Sequence, residues 1–505
     1  MNFDFRNLYN SAVQHFPDNN AIFINGDYYT YAALQQQVEV VVEIIKKEGL
    51  VNKNIAIAVS EDNHILSIAS IIAVFQTGNV LLPFNKHFPA ERNLYAFRQV
   101  QPQLILSLDA DKHIETCIDK LKGYAFSWFT FSDSSFKRYT KEYIANTSLD
   151  GIAYILYTSG STGKPKGVPV SFKNLNNCLH FFYTQYPFQY TDRFLQVYTT
   201  TFDVFYFSLL MPLTVGGCCY FIENATNSVK YLEIFSALKL HQITVVSMVP
   251  TLLMYVEKYF YELSFPDLRY SFFSGDALLH SIAEQWIRCL PNGEIHNFYG
   301  PTETTIVCTR YIWEKNKSLQ ESYNNIVPIG YPFPKMDYLI VDELNRPVPN
   351  KSIGELVFSG PQVINSYIDK GFVERFFVEV ETGKRFYKTG DLVLLNENGT
   401  LIFVGRKDFQ VKINGYRVEL AEVEAQVSAI TKNPCYAFVK PNKKGLNVLY
   451  VAVLDNQIEE KDVIRTLKSI LPPYMIPYKF LKVDSFPTNT NQKIDRLLLR
   501  QLIND

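Results

Sequence analysis

The stretch YILYTSGSTGKPKGVPV, residues 154–170, passes from an apolar run through ten residues drawn only from Thr, Ser, Gly, Lys and Pro, then returns to apolar residues. Residues 154–157 and 168–170 read as short buried strands, so the polar residues from Thr158 onward form the loop between them. Ser159, Ser161 and Thr162 supply hydroxyls, Gly160 and Gly163 let backbone N–H groups approach a ligand closely, and Lys164 and Lys166 bring positive charge. That combination suits a polyphosphate, whose charge needs many donors at short range. A Walker loop is excluded, because it opens a helix, whereas Pro165 follows the first lysine and β-type residues follow the second. For this segment alone, a surface hairpin without a ligand is an equal alternative.

The elements that must position such a loop belong to a chain of 505 residues, too long for one core and expected to split into two or more domains. Its 47% hydrophobic and 20% charged residues and formal net charge of −1 fit an ordinary globular protein and give no basic stripe for nucleic acid. The N-terminal MNFDFRNLYN lacks the pattern of an export signal, and no apolar run is long enough to span a bilayer, so the expectation is a cytoplasmic protein without a membrane partner. Seven cysteines without C-x-x-C spacing are expected to be reduced core thiols. From about residue 20 to 360, short apolar runs such as NIAIAV (54–59), QLILSL (103–108) and ITVVSM (243–248) alternate with helical patterns, which predicts α/β layers with largely parallel sheets. After residue 400 the texture changes to strands, a charged turn and helices starting near Glu419 and Glu459, which predicts a small mobile α+β domain. The expected division is 1–407 and 408–505.

Four further stretches follow the first in a fixed order: NFYGPTETT (297–305), YKTGDL (387–392), GRKDFQVKINGYRVELAEVE (405–424) and LPPYMIP with NQKIDR (471–496). With YTYAALQ (29–35) and residues 73–95, they make the chain resemble the adenylate-forming superfamily over nearly its whole length. The nearest kind is an amino-acid adenylation enzyme of nonribosomal peptide synthesis or D-alanine loading. The resemblance implies two steps: a carboxylate attacks the α-phosphate of ATP to give an acyl-adenylate and pyrophosphate, and a thiol then displaces AMP.

It also implies roles. Thr158 and residues 159–166 would hold the β- and γ-phosphates, Thr302 the α-phosphate, and Glu303 a Mg²⁺ ion, which prefers oxygen ligands. Tyr299, beside Gly300, would stack on adenine, with Asn297 on its amino edge and Asp391 on the ribose hydroxyls. Arg406 and Arg417 would meet ribose and phosphate on either side of a hinge at Asp408, and Lys493 would be the catalytic cation. Taken singly, Glu303 could cap a helix and Asp391 could make a turn. Asp203, in TTTFDVFYFSLL (200–211), would pair with a substrate ammonium, or else cap the helix that follows. Val204, Phe207, Ser247, Phe272, Ser274, Phe298, Ile306 and Val307 would line the side-chain pocket, whose phenylalanines imply a small neutral amino acid: alanine, serine, glycine or proline. Departures from the family pattern include Gln492 in place of a glycine before Lys493, Ala421 after VEL, and VINSYID at 363–369.

No carrier segment follows Arg496 in the sequence, so the thiol is expected on the phosphopantetheine arm of a separate carrier protein acting in trans. An acyl- or aryl-coenzyme A ligase is the runner-up. Because Lys493 would serve only adenylate formation, Lys493→Ala is expected to slow that step at least about a hundredfold, while thiol transfer from supplied adenylate stays within about threefold. Single-turnover assays of each half-reaction measure both, and comparable losses would refute the assignment.

Overall fold

The computed structural model describes residues 3–110, 112–121, 124–139, 149–160, 164–222, 230–349, 351–408, 410–442, 445–454, 459–483 and 485–487. Ser161, Thr162, Gly163, Gln492 and Lys493 lie outside these. Among the described residues, the predicted α/β layering takes the form of two large sheets. In the nine-stranded sheet, six neighbouring strands are parallel: Asn20–Ile24, Cys218–Phe221, Arg193–Gln196, Val245–Met248, Tyr270–Phe273 and Glu294–Tyr299. Antiparallel strands close both of its edges. The seven-stranded sheet carries the hairpin of Ile152–Thr158 and Lys166–Ser171 at one edge, with Thr158 opposite Lys166. Lys166 therefore opens the second strand rather than closing the loop, and its side chain is fully buried.

Residues 337–406 depart from the parallel expectation. Asp337–Val341, Gly354–Ser359, Arg385–Leu395, Phe376–Val378 and Leu401–Arg406 form a wholly antiparallel five-stranded sheet. Short connections such as residues 396–400 suffice for antiparallel neighbours, whereas parallel ones need a crossover. The hairpin Gln410–Ile413 and Tyr416–Glu419 comes next, then helix Leu420–Thr431, a three-stranded sheet and helix Glu460–Lys468. These elements share a separate apolar cluster from Ile413 to Phe480. The hairpin turn is Asn414–Gly415, with φ of 51° and 82°. Asn-Gly is the pair that tolerates left-handed backbone at both positions of a two-residue turn. All seven cysteines are buried and none forms a disulfide.

Helix Val204–Val215 is buried along nearly its whole length and ends on Gly216 at φ 82°. Apolar on all faces, it is held as a core element, and its N-terminus fixes Asp203. A second positioning device follows strand Glu294–Tyr299. Thr305 and the β-branched Ile306 sit at φ 62° and 65°, a conformation that costs such residues about 1–3 kcal/mol. Gln362, 2% exposed, holds them: its Nε2 donates to the carbonyls of Thr304, Thr305 and Val307 at 3.2, 3.4 and 2.8 Å, and its own carbonyl accepts from the Thr305 hydroxyl at 2.6 Å. Gln362→Leu removes the amide that satisfies these buried carbonyls. It should lower unfolding free energy by about 1–3 kcal/mol, read as a shifted urea midpoint at unchanged slope.

Candidate active site

Two adjoining clefts, of about 1050 and 1450 Å³ including their open mouths, lie where the large sheets, the antiparallel sheet and the 410–419 hairpin meet. They share Gly275, Tyr299, Gly300, Asp391, Arg406, Gln410 and Lys412. Thr158, Ser159, Asp203, Val204, Ser274, Thr302, Ile306 and Arg417 line the first, and Asn297, Phe298 and Asp408 the second. Residues spread from 158 to 417 thus converge on one continuous cavity.

Buried charge organises it. Glu303 has no exposed surface; both its oxygens accept from Arg417 Nη1, at 3.1 and 2.9 Å, and Oε1 also accepts from the Tyr367 hydroxyl at 2.7 Å. Burial alone would raise its pKa, but Arg417 and Tyr367 outweigh it and bring the carboxyl down to about 2. In this arrangement Glu303 serves a guanidinium and offers no open face to a metal ion. Among the described residues no cluster of three or more His, Cys, Asp or Glu side chains could hold one. Among the described residues Lys166 Nζ has no hydrogen-bond partner; it lies 3.5 Å from Glu419 and stands over the Phe372 ring. Burial lowers its pKa.

The phosphate-type loop is likewise engaged by the 410–424 segment. Ser159 Oγ donates to the Arg417 carbonyl at 2.9 Å, and Gly160 N–H donates to Glu422 Oε2 at 3.3 Å. The other oxygen of Glu422 accepts from Arg92 Nη1 at 2.9 Å, in a pair whose side chains are 5% and 3% exposed. At the second cleft, Asp391 accepts from the Tyr299 hydroxyl at 2.5 Å and from Arg406 Nη1 at 2.6 Å, while Arg406 also donates to both oxygens of Asp408. Asn297 Nδ2 donates to the carbonyls of Val327 and Pro328, but its buried Oδ1 has no partner. Thr158 Oγ1 is also buried and, like Asn297 Oδ1, has no partner among the described residues. Such atoms are costly in an empty cavity and suit a polar, multiply hydrogen-bonding ligand such as a nucleotide.

Asp203 is 8% exposed and, although it precedes a helix, its side chain makes no capping hydrogen bond. Burial pushes its pKa up to about 6, with the Thr302 hydroxyl and the Val204 N–H opposing. Of the other predicted pocket residues, Val204, Ser274 and Ile306 line the cleft with Asp203. Phe272 packs against Phe207 and Phe298, and all three pack against Phe182, at ring separations of 4.3–6.0 Å, forming a buried aromatic cluster. Ser247 and Val307 lie outside the lining of either cleft. Sequence reading missed Tyr198, Tyr367, Arg92, Glu419 and Glu422. The two glutamates stand inside the quoted RVELAEVE, where acidic residues amid cationic ones were the available signal.

The model of the AMP-binding enzyme family matches residues 9–368, and the chain belongs to that family, whose members are adenylate-forming ligases. Gramicidin S synthase 2 of Brevibacillus brevis is 30% identical over 507 residues, 98% of this chain; the chain spans 11% of that protein's length. Zwittermicin A synthase ZmaJ of Bacillus cereus is 29% identical over 509 residues, covering 99% of this chain and 95% of the relative. Among solved structures, the Vibrio cholerae adenylation domain AlmE in complex with glycyl-adenosine-5'-phosphate superimposes with a TM-score of 0.85 at 26% identity, covering 99% and 98% of the two chains.

The raised pKa of Asp203 gives a pH signature. Between pH 3.8 and about 6 the folded chain keeps a proton that the unfolded chain has released, so stability falls as pH rises through that window and stays lower above it. Asp203→Asn removes the cost. In thermal unfolding without substrate it should be more stable than wild type at pH 7, by on the order of 3 kcal/mol, with the gain vanishing near pH 4.

Proposed function

We propose that the chain activates a small neutral amino acid with ATP, releasing pyrophosphate, and passes the aminoacyl group from its adenylate to the phosphopantetheine thiol of a separate carrier protein. The carrying observation is Asp203: a buried carboxylate that makes no side-chain capping hydrogen bond, in the same cleft as Thr302, Asp391 and the phosphate-type loop. A buried carboxylate of that kind matches an ammonium, and the glycyl-adenylate bound by the AlmE domain is the adenylate of the smallest amino acid. The phenylalanines packed behind Val204 and Ile306 support a short side chain.

In the first step the amino acid's carboxylate oxygen bonds to the α-phosphorus as the bond to pyrophosphate breaks. On this reading Asn297 Oδ1 accepts from an adenine amino group, Asp391 accepts from ribose, and the loop at 158–166 with Thr302 holds phosphate oxygens. Lys493 stabilises the charge as the two anions meet. A Mg²⁺ ion, which would neutralise phosphate charge, needs Glu303 free of Arg417. In the second step the carrier sulfur bonds to the carbonyl carbon and AMP leaves. Arg417, Glu419 and Glu422 here engage Glu303, Lys166 and the Gly160 N–H, groups assigned to metal and phosphate. That pairing supports assigning this arrangement to the second step, after pyrophosphate has gone, with residues 408–505 rotating about Asp408 between steps. Among the described residues no helix is long and apolar enough to cross a membrane, and we place the reaction in the cytoplasm.

ATP–pyrophosphate exchange tests the reading. Small neutral amino acids of one hand should support exchange at least about a hundredfold better than benzoates or fatty acids, since a site built around a buried carboxylate penalises an acid lacking the ammonium. Exchange with benzoates or fatty acids alone would make the protein a coenzyme A ligase instead.

A further inference from the structure

The pocket beside Asp203 is bordered by polar residues at the ends of three neighbouring parallel strands, Tyr198 and Ser274 in its lining and Ser247 just beyond it. Tyr198 follows strand Arg193–Gln196, Ser247 lies within Val245–Met248, and Ser274 follows Tyr270–Phe273. All three thus project from the C-terminal ends of their strands, the usual ligand edge of an open parallel sheet. Tyr198 lines the cleft with Asp203, Val204 and Ser274, while its hydroxyl is buried and, among the described residues, has no hydrogen-bond partner. The hydroxyls of Ser247 and Ser274 stand close enough to influence it, yet among the described residues neither closes a hydrogen bond of normal geometry with it. Both serines are 5% exposed. A buried phenol without a partner is uncommon, and here it stands in the cavity that holds the ammonium-matching carboxylate.

Resting on the amino-acid activation proposed above, we infer that the pocket is built for a hydroxyl: the substrate is a β-hydroxy amino acid of about the size of serine, and Tyr198, with Ser274 beside it, is its specificity-determining residue. Asp203 takes the ammonium, and the side-chain hydroxyl pairs with the Tyr198 hydroxyl that the free protein leaves unmatched. The packed rings of Phe207, Phe272 and Phe298 close off the depth that a longer side chain would need. Alanine and glycine fit the volume but leave the phenol unpaired. Sites built to bond a substrate hydroxyl reject the analogue lacking it far more strongly than a hydrophobic pocket rejects a missing methylene.

The test is ATP–pyrophosphate exchange by the full chain with serine, threonine, alanine, glycine and 2-aminobutyrate, the chiral ones in both hands. Serine or threonine should exceed alanine in kcat/KM by about a hundredfold or more. In Tyr198→Phe, and separately in Ser274→Ala, that ratio should fall at least about tenfold, which a merely structural role would not do because it would slow both amino acids alike. A wild-type preference for a side chain without a hydroxyl, or a ratio unmoved in both variants, overturns the inference and leaves amino-acid activation standing. Exchange with no amino acid at all overturns both.

Discussion

A carboxylate sealed from water must meet a cation or give up its charge, and Glu303 is sealed completely. Its cation arrives from a segment more than a hundred residues later in the chain, at the end of a hairpin whose hydrophobic support lies in another cluster. Residues 410–424 reach the rest of the site through a set of electrostatic and polar links, Arg417 on Glu303, Glu419 on Lys166, Glu422 on Arg92 and on the Gly160 N–H, beside the ring contact of Tyr416 with Phe202. Contacts of this kind can be exchanged for phosphate and metal contacts of the same sign at modest net cost. An apolar seam could not be exchanged in that way, because separating it exposes area that water disfavours.

The same economy governs the amino-acid side of the cleft. Asp203 is held at the start of an apolar helix by burial of the helix itself, so its carboxylate is free of capping duty. Ile306 reaches the cleft through a left-handed turn that its own side chain resists, and Gln362 holds that turn by satisfying three carbonyls. Strain and unmatched polar atoms, among them Asn297 Oδ1, Thr158 Oγ1 and the Tyr198 hydroxyl, gather around one cavity, as expected where binding energy offsets a local cost to stability.

Much of this was legible in the amino-acid order. The phosphate-type loop between two strands, the parallel strands at 243–248 and their neighbours, the Asn414–Gly415 turn and the helix after Glu419 all follow from local rules: side-chain period, left-handed tolerance, and the absence of an N–H at Pro165. The types of Asp203, Glu303, Asp391 and Arg417 carried their chemistry openly, since few residues can hold an ammonium, a cation or a ribose hydroxyl pair.

Tertiary structure alone decided who meets whom. Strand partners in residues 337–406 are chosen by non-local pairing, so the local pattern did not distinguish that antiparallel sheet from the parallel layers before it. The engagement of Gly160 by Glu422 spans 262 positions, and no local spacing encodes it. Whether Lys166 faced solvent or a buried glutamate, and whether Asp203 capped its helix or faced the cleft beside Thr302, depended on how separate layers closed over them. Sequence determined the donors, acceptors and charges; packing determined which were left unmatched, because desolvation is a property of the assembled cavity and of no single stretch of chain.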